Sequence, residues 1–437
     1  MSFFKYLHDK YVKSCIIYLK FDIGYNLHSN YKENLISLEY ITKISLDANP
    51  SDDLPESLEI LIFGDKIKII PKINYLHNLR VLIIGEEFNQ SITNLLESKT
   101  QSGLLKGGLP EKLEVLKLGY KFNQLVDNLP QNLKKLTLGY KFDRLIDQLP
   151  QNLEVLKLGY KFNQPIDHLP QNLKKLTLGY KFDQLINNLP EKLEVLRLGY
   201  SFNQPINDLP QNLRILSIGD MFNQPIDKLP ISLEILKLGW FFNKEVNLLP
   251  QNLRILEFGV CFNQYIDYLP NNLEELKFGW YFNKSVDRLP ESIKKLKFGV
   301  NFNQPINRFP HLLEELIFGQ YFNQSIDSLS QHLKILKLGN EFNQPIEKLP
   351  ESLRILIFGD KFNQPINDLP HNLKKLELGN GFNESIDRLP KLLKVLKLGQ
   401  KFRQSIDCLP INLRELYIPY DLRLDYPSNL KVIKTFS

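Results

Sequence analysis

The chain has 437 residues, of which 43% are hydrophobic and 24% are charged, the composition of an ordinary water-soluble protein. Its 55 Lys and Arg against 49 Asp and Glu leave a formal net charge of +6, too small over this length to indicate nucleic-acid binding. No apolar run reaches the roughly eighteen residues of a transmembrane helix, so we expect no membrane span.

The first residues, MSFFKYLHDKYVKSC, interleave charged and apolar side chains and lack the continuous apolar stretch of a signal peptide. The three cysteines, Cys15, Cys261 and Cys408, follow no disulfide or zinc spacing. We therefore expect a cytoplasmic protein with reduced thiols.

Residues 1–35 match no repeat and are predicted to form an N-terminal cap, in which residues 11–21 could be either a helix or a strand. Residues 36–108 are predicted to hold irregular repeats, with strand patterns at 58–64 and 79–85. Within them the polar stretch 97–108 breaks the pattern and is predicted to be an inserted surface loop.

Residues 109–410 carry a regular repeat of twenty residues, seen best in QNLEVLKLGYKFNQPIDHLP at 151–170. From 111 to 410 the frame recurs fifteen times without insertion or deletion. A fixed short period of this kind predicts a solenoid in which each repeat packs on its neighbours. Residues 411–437 are predicted to be a last repeat and a C-terminal cap, with Pro419 in place of the usual glycine.

Each repeat is predicted to be one short strand, a sharp corner and an extended return. The spacing L-x-x-L-x-L gives the strand, a glycine follows it, and prolines in the return exclude a long helix. The glycine row, Gly119 to Gly399, requires either a tight or left-handed bend or a lack of room for Cβ. The predicted fold is thus a leucine-rich-repeat-like solenoid with a long curved parallel sheet on one face and mostly non-helical returns.

An asparagine follows the recurring phenylalanine in most repeats, as in Asn123 and Asn163. A short amide at one corner predicts a ladder that satisfies the backbone groups of the adjoining coil. Asp143 and Asp183 replace it twice and Arg403 once.

The run FNQPI at 162–166, together with the L-x-x-L-x-L strand, resembles the FNIP repeat, a relative of the leucine-rich repeat found in social amoebae and in giant DNA viruses of amoebae. The resemblance implies a non-enzymatic scaffold in the cytoplasm, or in the host cytoplasm if the chain is viral. Many viral members begin with an F-box that recruits a ubiquitin ligase. Its Leu-Pro-x-Glu opening and late tryptophan are absent from residues 1–50, so a degenerate F-box, and with it a substrate-adaptor role, is the alternative.

The residue after the first apolar position of each strand alternates in charge from Glu59 and Arg80 through Glu314 and Lys334. On stacked rungs such residues are neighbours, so the pattern predicts a charge ladder. The alternation ends in a run of like charge, which either meets an acidic partner or is neutralised by Glu377 and Glu415. The run comprises Arg354, Lys374, Lys394 and Arg414.

Aromatic residues follow the strand glycines. The tyrosine row, of which Tyr120, Tyr140 and Tyr160 are the candidates for binding, either contacts a partner or stacks on itself. Trp240 and Trp280, with Tyr281 beside the second, depart from the copied pattern and are the preferred partner-binding candidates.

No Walker loop, G-x-S-x-G, H-E-x-x-H or Cys-His pairing is present, so we expect no enzyme, cofactor or small-molecule substrate. The periodic aspartates lack the G-G-x-G-x-D calcium pattern, and we expect no metal site. The main hypothesis is a monomeric scaffold that binds an unidentified protein through the sheet face or its lip. Nucleic-acid binding by the basic C-terminal strands ranks below the adaptor alternative.

Overall fold

The computed structural model describes residues 16–19, 43–46, 54–92, 108–420, 422 and 430–435. Within these ranges every regular element is a β-strand, and the described residues include no helix long and apolar enough to cross a membrane. The chain divides into two compact units, Met1–Arg214 and Ile215–Ser437, which are described separately.

In the N-terminal unit each strand pairs in parallel with the next one along the chain. The regular strands align residues twenty positions apart, as in Val155 beside Lys175. The strands are β1 Ile16–Leu19, β2 Lys43–Leu46, β3 Ile60–Phe63, β4 Val81–Ile84, β5 Val115–Lys117, β6 Lys135–Thr137, β7 Val155–Lys157, β8 Lys175–Thr177 and β9 Val195–Arg197.

The C-terminal unit repeats this parallel arrangement from β10 to β21. The strands are β10 Ile215–Ser217, β11 Ile235–Lys237, β12 Ile255–Glu257, β13 Glu275–Lys277, β14 Lys295–Lys297, β15 Glu315–Ile317, β16 Ile335–Lys337, β17 Ile355–Ile357, β18 Lys375–Glu377, β19 Val395–Lys397, β20 Glu415–Pro419 and β21 Lys431–Thr435. The predicted solenoid of short parallel strands with non-helical returns is therefore confirmed.

Both ends of the chain contribute strands. Of the stretch 11–21, left open between helix and strand, the described residues 16–19 form strand β1, which pairs with β2. At the other end β21 pairs with β20, as expected of a shortened last repeat. The rest of the predicted cap and residues 97–107 of the predicted loop lie outside the described residues, so those boundaries and the F-box alternative stay predictions.

The core consists of apolar side chains that one rung alone cannot cover. In the repeat 151–170 all six expected positions are buried: Leu153, Leu156, Leu158, Phe162, Ile166 and Leu169. The Phe162 ring lies parallel to those of Phe142 and Phe182, with centroids 6.1 Å away on each side. Each such side chain contributes about 1.5–3 kcal/mol when buried.

The glycine row is explained by the closeness of successive rungs. A Cβ built on Gly159 would lie less than 3.0 Å from the carbonyl oxygen of Gly139, and the other row members described behave alike. None of these glycines has the left-handed φ that was the other possibility. Glycine is thus required for space between backbones, not for a left-handed φ.

Two amide ladders connect the rungs. In the predicted ladder, Asn163 Oδ1 accepts the backbone N–H of Asp183 at 2.9 Å, and Asp143 Oδ1 accepts the backbone N–H of Asn163 at 3.0 Å. The second ladder was missed: the asparagine of the Pro-x-Asn-Leu turn donates to a carbonyl one rung back, as from Asn152 to Gln131 at 2.9 Å. The recurrent QNL triplet contains this asparagine and was the sequence feature that could have predicted the second ladder.

Ion pairs of the predicted charge ladder occur in both units, although Glu59, its first member, forms none with a described residue. In the N-terminal unit, Glu114 lies 3.1 Å from Lys134 and 3.8 Å from Arg80. In the C-terminal unit, Glu274 lies 2.9 Å from Arg254 and 3.3 Å from Lys294. The hydrogen bond from Arg254, assisted by the one from Lys294, holds the pKa of the Glu274 carboxyl below its ordinary value.

Replacing Gly159 with alanine is expected to lower the free energy of unfolding by about 1–3 kcal/mol, because the new methyl group must push two backbones apart. Gly108→Ala is the matched control, since a Cβ there meets nothing within 4 Å. Urea unfolding monitored by circular dichroism measures both. Equal midpoints for the two variants would show that rung spacing does not select glycine.

Glu274→Gln is expected to reduce stability at pH 7 by about 0.5–1 kcal/mol, because it removes the charge that faces Arg254 and Lys294. Since the folded pKa is depressed, this contribution exists above the ordinary value of 4.5 and is lost as the pH falls through the lower folded value. The native and variant unfolding curves should converge in acid.

Glu59→Gln is the matched control for that experiment, because Glu59 holds the same repeat position without an ion pair to any described residue. Urea titrations at neutral and acidic pH give the comparison. A Glu274→Gln difference that persists unchanged in acid would contradict the ladder.

Candidate functional site

An exposed aromatic cluster follows three alternate strands of the C-terminal unit, β11, β13 and β15. We call it the aromatic lip, and it consists of Trp240, Phe241, Trp280, Tyr281 and Tyr321. Their exposed fractions lie between 44% for Phe241 and 52% for Tyr281, unusually high for large apolar side chains. Half-buried Val260 and Val300 occupy the position after the glycine on the rungs between.

Backbone hydrogen bonds hold the lip in register. The carbonyl of Trp240 accepts the N–H of Cys261 at 2.8 Å, and that of Trp280 accepts the N–H of Asn301 at 2.9 Å. Because these bonds come immediately after the glycine row, the closely spaced backbones fix where each aromatic residue emerges. The lip residues therefore project from a part of the repeat whose backbone is held by hydrogen bonds to the neighbouring rungs.

Phe241 and Tyr321 were not singled out from the sequence. They occupy the position after the tyrosine and tryptophan row. That position holds lysine from Lys121 to Lys181, and apolar or aromatic residues from Met221 to Tyr321 with Asn301 as the exception. This change of residue type was the sequence feature that could have identified Phe241 and Tyr321 as candidates.

The tyrosine row of the N-terminal unit forms a continuous stack. Tyr140 lies 4.5 Å from Tyr120 and 4.4 Å from Tyr160, between ring centroids, with ring planes within 15° of parallel. The stack continues through Tyr180 to Tyr200. Since each inner ring has both faces covered by its neighbours, the row stiffens the rungs and offers mainly ring edges to solvent.

The basic run lies on adjacent rungs, and we call Arg354, Lys374, Lys394 and Arg414 the basic strip. Backbone bonds of 2.8–2.9 Å connect each member to the preceding one. Lys374, Lys394 and Arg414 are exposed. Among the described residues no carboxylate forms an ion pair with any member, and Arg354 instead donates to the backbone oxygen of Glu351 at 3.2 Å.

The two glutamates of the alternative, in which the strip is neutralised, have other partners. Glu377 pairs with Lys375 at 2.7 Å. Glu415 accepts from the Tyr417 hydroxyl at 3.0 Å and lies 3.5 Å from Lys431. The strip therefore keeps its positive charge.

The sheet face over β12–β15 behaves differently. A shallow cleft of about 160 Å³ there is lined by residues that include Glu257, Glu275, Lys277 and Lys295. Glu275 pairs with Lys295 at 2.6 Å, while Glu257 lies 3.8 Å from Lys277 and 2.8 Å from Lys237. These groups satisfy one another, and nowhere in the described ranges do three metal-ligating side chains converge.

Comparison with known proteins gives a consistent result. The FNIP Repeat family matches residues 101–141, 125–161, 162–201, 202–241, 222–261, 242–281, 282–321, 322–359, 342–381 and 382–421. No curated protein was found to match.

Two solved structures are similar to the chain. CroV588, a giant-virus protein described as a novel circular LRR structure, is 32% identical over 92% of this chain and 74% of its own, with a TM-score of 0.69. YopM from Yersinia enterocolitica, 21% identical over 91% of this chain and 87% of its own with a TM-score of 0.51, shows a similar fold.

The family match extends over most of the chain, and the fold agrees with it in both units. The resemblance drawn from the FNQPI run is thereby confirmed, and the chain belongs to the FNIP repeat family.

Proposed function

We propose that the chain is a protein-interaction scaffold and not an enzyme, and that it binds a protein partner through the aromatic lip. The observation that carries this proposal is the exposure of the two tryptophans, 49% for Trp240 and 51% for Trp280. Tryptophan and tyrosine are the residues most enriched among those that dominate binding energy at protein interfaces.

The mounting of the lip supports the same proposal. Aromatic rings held at fixed spacing by the rung backbone lose little conformational freedom when a partner covers them. By contrast, Tyr120, Tyr140 and Tyr160 are engaged with each other, and we propose a smaller role for them in binding.

A cytoplasmic location is part of the proposal. It is supported by the cysteines, since Cys261 and Cys408 are free thiols and Cys408 is exposed, which suits a reducing compartment.

The double substitution Trp240→Ala/Trp280→Ala is expected to weaken partner binding by at least about thirtyfold, because a single tryptophan at an interface centre contributes about 2 kcal/mol or more, and about 1.4 kcal/mol is a factor of ten. Affinity capture by the full chain, quantified by mass spectrometry, identifies the proteins retained. Captured partners that lack tryptophan can then be titrated by tryptophan emission, since both tryptophans of this chain lie in the lip.

Tyr268→Ala is the matched control, an aromatic residue of the same unit that is 64% exposed but lies in a return, away from the lip. Proteins retained by the native chain and by the control should be missing from the double variant. Retention of the same proteins by all three chains would show that the lip is not the binding surface.

A further inference from the structure

We propose that the exposed sheet face over β16–β20 is a second docking surface, which binds an acidic segment of a partner protein that also carries apolar side chains. This surface is distinct from the aromatic lip, and it names the chemistry of what is bound. Its test below uses purified chain and a synthetic peptide, so that it succeeds or fails independently of the lip.

The charge on this face is strongly one-sided. Each rung presents three solvent-facing positions, namely the residue before the strand and the first and third strand residues. Over β16–β20 these positions hold eight lysines or arginines and two glutamates. Over β11–β15 the same positions hold six of each sign.

The excess positive charge lies on neighbouring rungs, where repulsion between like charges destabilises the sheet most. The members of the basic strip sit in register on adjacent rungs, about 4.8 Å apart. Like charges directly opposite one another in a sheet are destabilising, whereas the alternating ladder elsewhere in the unit is stabilising. The basic strip therefore makes this face less stable than an alternating ladder would. Such a loss of stability is expected where a surface binds an external anion.

The N-terminal unit shows that abundant lysine alone does not make such a surface. There the lysines on the first strand residue alternate with valine, as in Val155, Lys175 and Val195, so that like charges lie two rungs apart. Before each strand, lysine alternates with glutamate, as in Glu154 and Lys174, which lie 3.4 Å apart.

Apolar residues between the cations favour a peptide over a nucleic acid. Ile335, Ile355, Ile357 and Val395 occupy solvent-facing positions of the same face and are only half-buried. A phosphodiester backbone has no apolar side chains to place against these residues. An acidic segment with leucine-like side chains complements both features.

The face also sets the length of the bound segment. Five rungs about 4.8 Å apart span about 19 Å, the reach of about six residues of extended chain. A short linear segment thus suffices to cross the whole strip.

The test is binding of a fluorescein-labelled twelve-residue peptide, Asp-Glu-Leu repeated four times, measured by fluorescence anisotropy with the full chain. The native chain should bind it, binding should weaken as salt rises from about 50 to about 300 mM, and a peptide with Asn and Gln in place of Asp and Glu should not bind. Trp240→Ala/Trp280→Ala should bind as the native chain does.

Lys374→Glu separates binding from folding. It restores alternating sign between Arg354 and Lys394, so it should raise the urea midpoint while weakening peptide binding by about tenfold, because three cations of the strip are withdrawn together. Lys228→Glu makes the same charge change at an exposed turn of the same unit and should leave binding unchanged.

Three results would overturn the proposal. They are equal binding of acidic and neutral peptides, unchanged binding by Lys374→Glu, and tighter binding of a single-stranded oligonucleotide than of the acidic peptide. The last would assign the strip to nucleic acid.

Discussion

Every large side chain that this fold buries depends on a neighbouring rung, because a rung of twenty residues has no interior of its own. Phe262 shows the arrangement: it is fully buried, and its ring lies between Phe242 at 6.1 Å and Phe282 at 6.0 Å on the neighbouring rungs, beside Phe258 of its own rung at 3.7 Å. Stability is then a sum of contacts between neighbours, as in other solenoids. The glycine row, the amide ladders and the charge ladder all serve to hold that spacing.

This dependence frees the outer surface for other uses. Once leucine, phenylalanine, glycine and asparagine have positioned a rung, the residue after the glycine is unconstrained by packing and can be tyrosine, tryptophan or valine. In the N-terminal unit the tyrosines stack on each other and add rigidity. In the C-terminal unit Trp240 and Trp280 do not pair with each other across the intervening Val260, and they stay exposed. The same scaffold thus supports a structural row and a candidate interface.

The repeat period made the fold and most of its internal contacts predictable, since a residue and its equivalent twenty positions later must meet. The Asn163 ladder and the Glu274 ladder followed directly from that rule. The reason for the glycine row could not be predicted from the sequence, because a row of glycines alone does not distinguish a left-handed φ from a close approach of two backbones. Only part of the aromatic lip could be predicted from the sequence. Phe241 and Tyr321 are identified as candidates by their exposure, which the sequence alone does not give.

The most direct test of the twenty-residue rung is to delete chain in and out of phase. Removing residues 331–350 takes out one rung, leaves Glu314 beside Arg354 and so preserves the alternation of charge at that point. We expect this variant to keep a cooperative urea transition, whereas removal of residues 331–340, half as much chain, should abolish it in the C-terminal unit. If the shorter deletion were tolerated as well as the longer one, the rung would not be the unit of this structure.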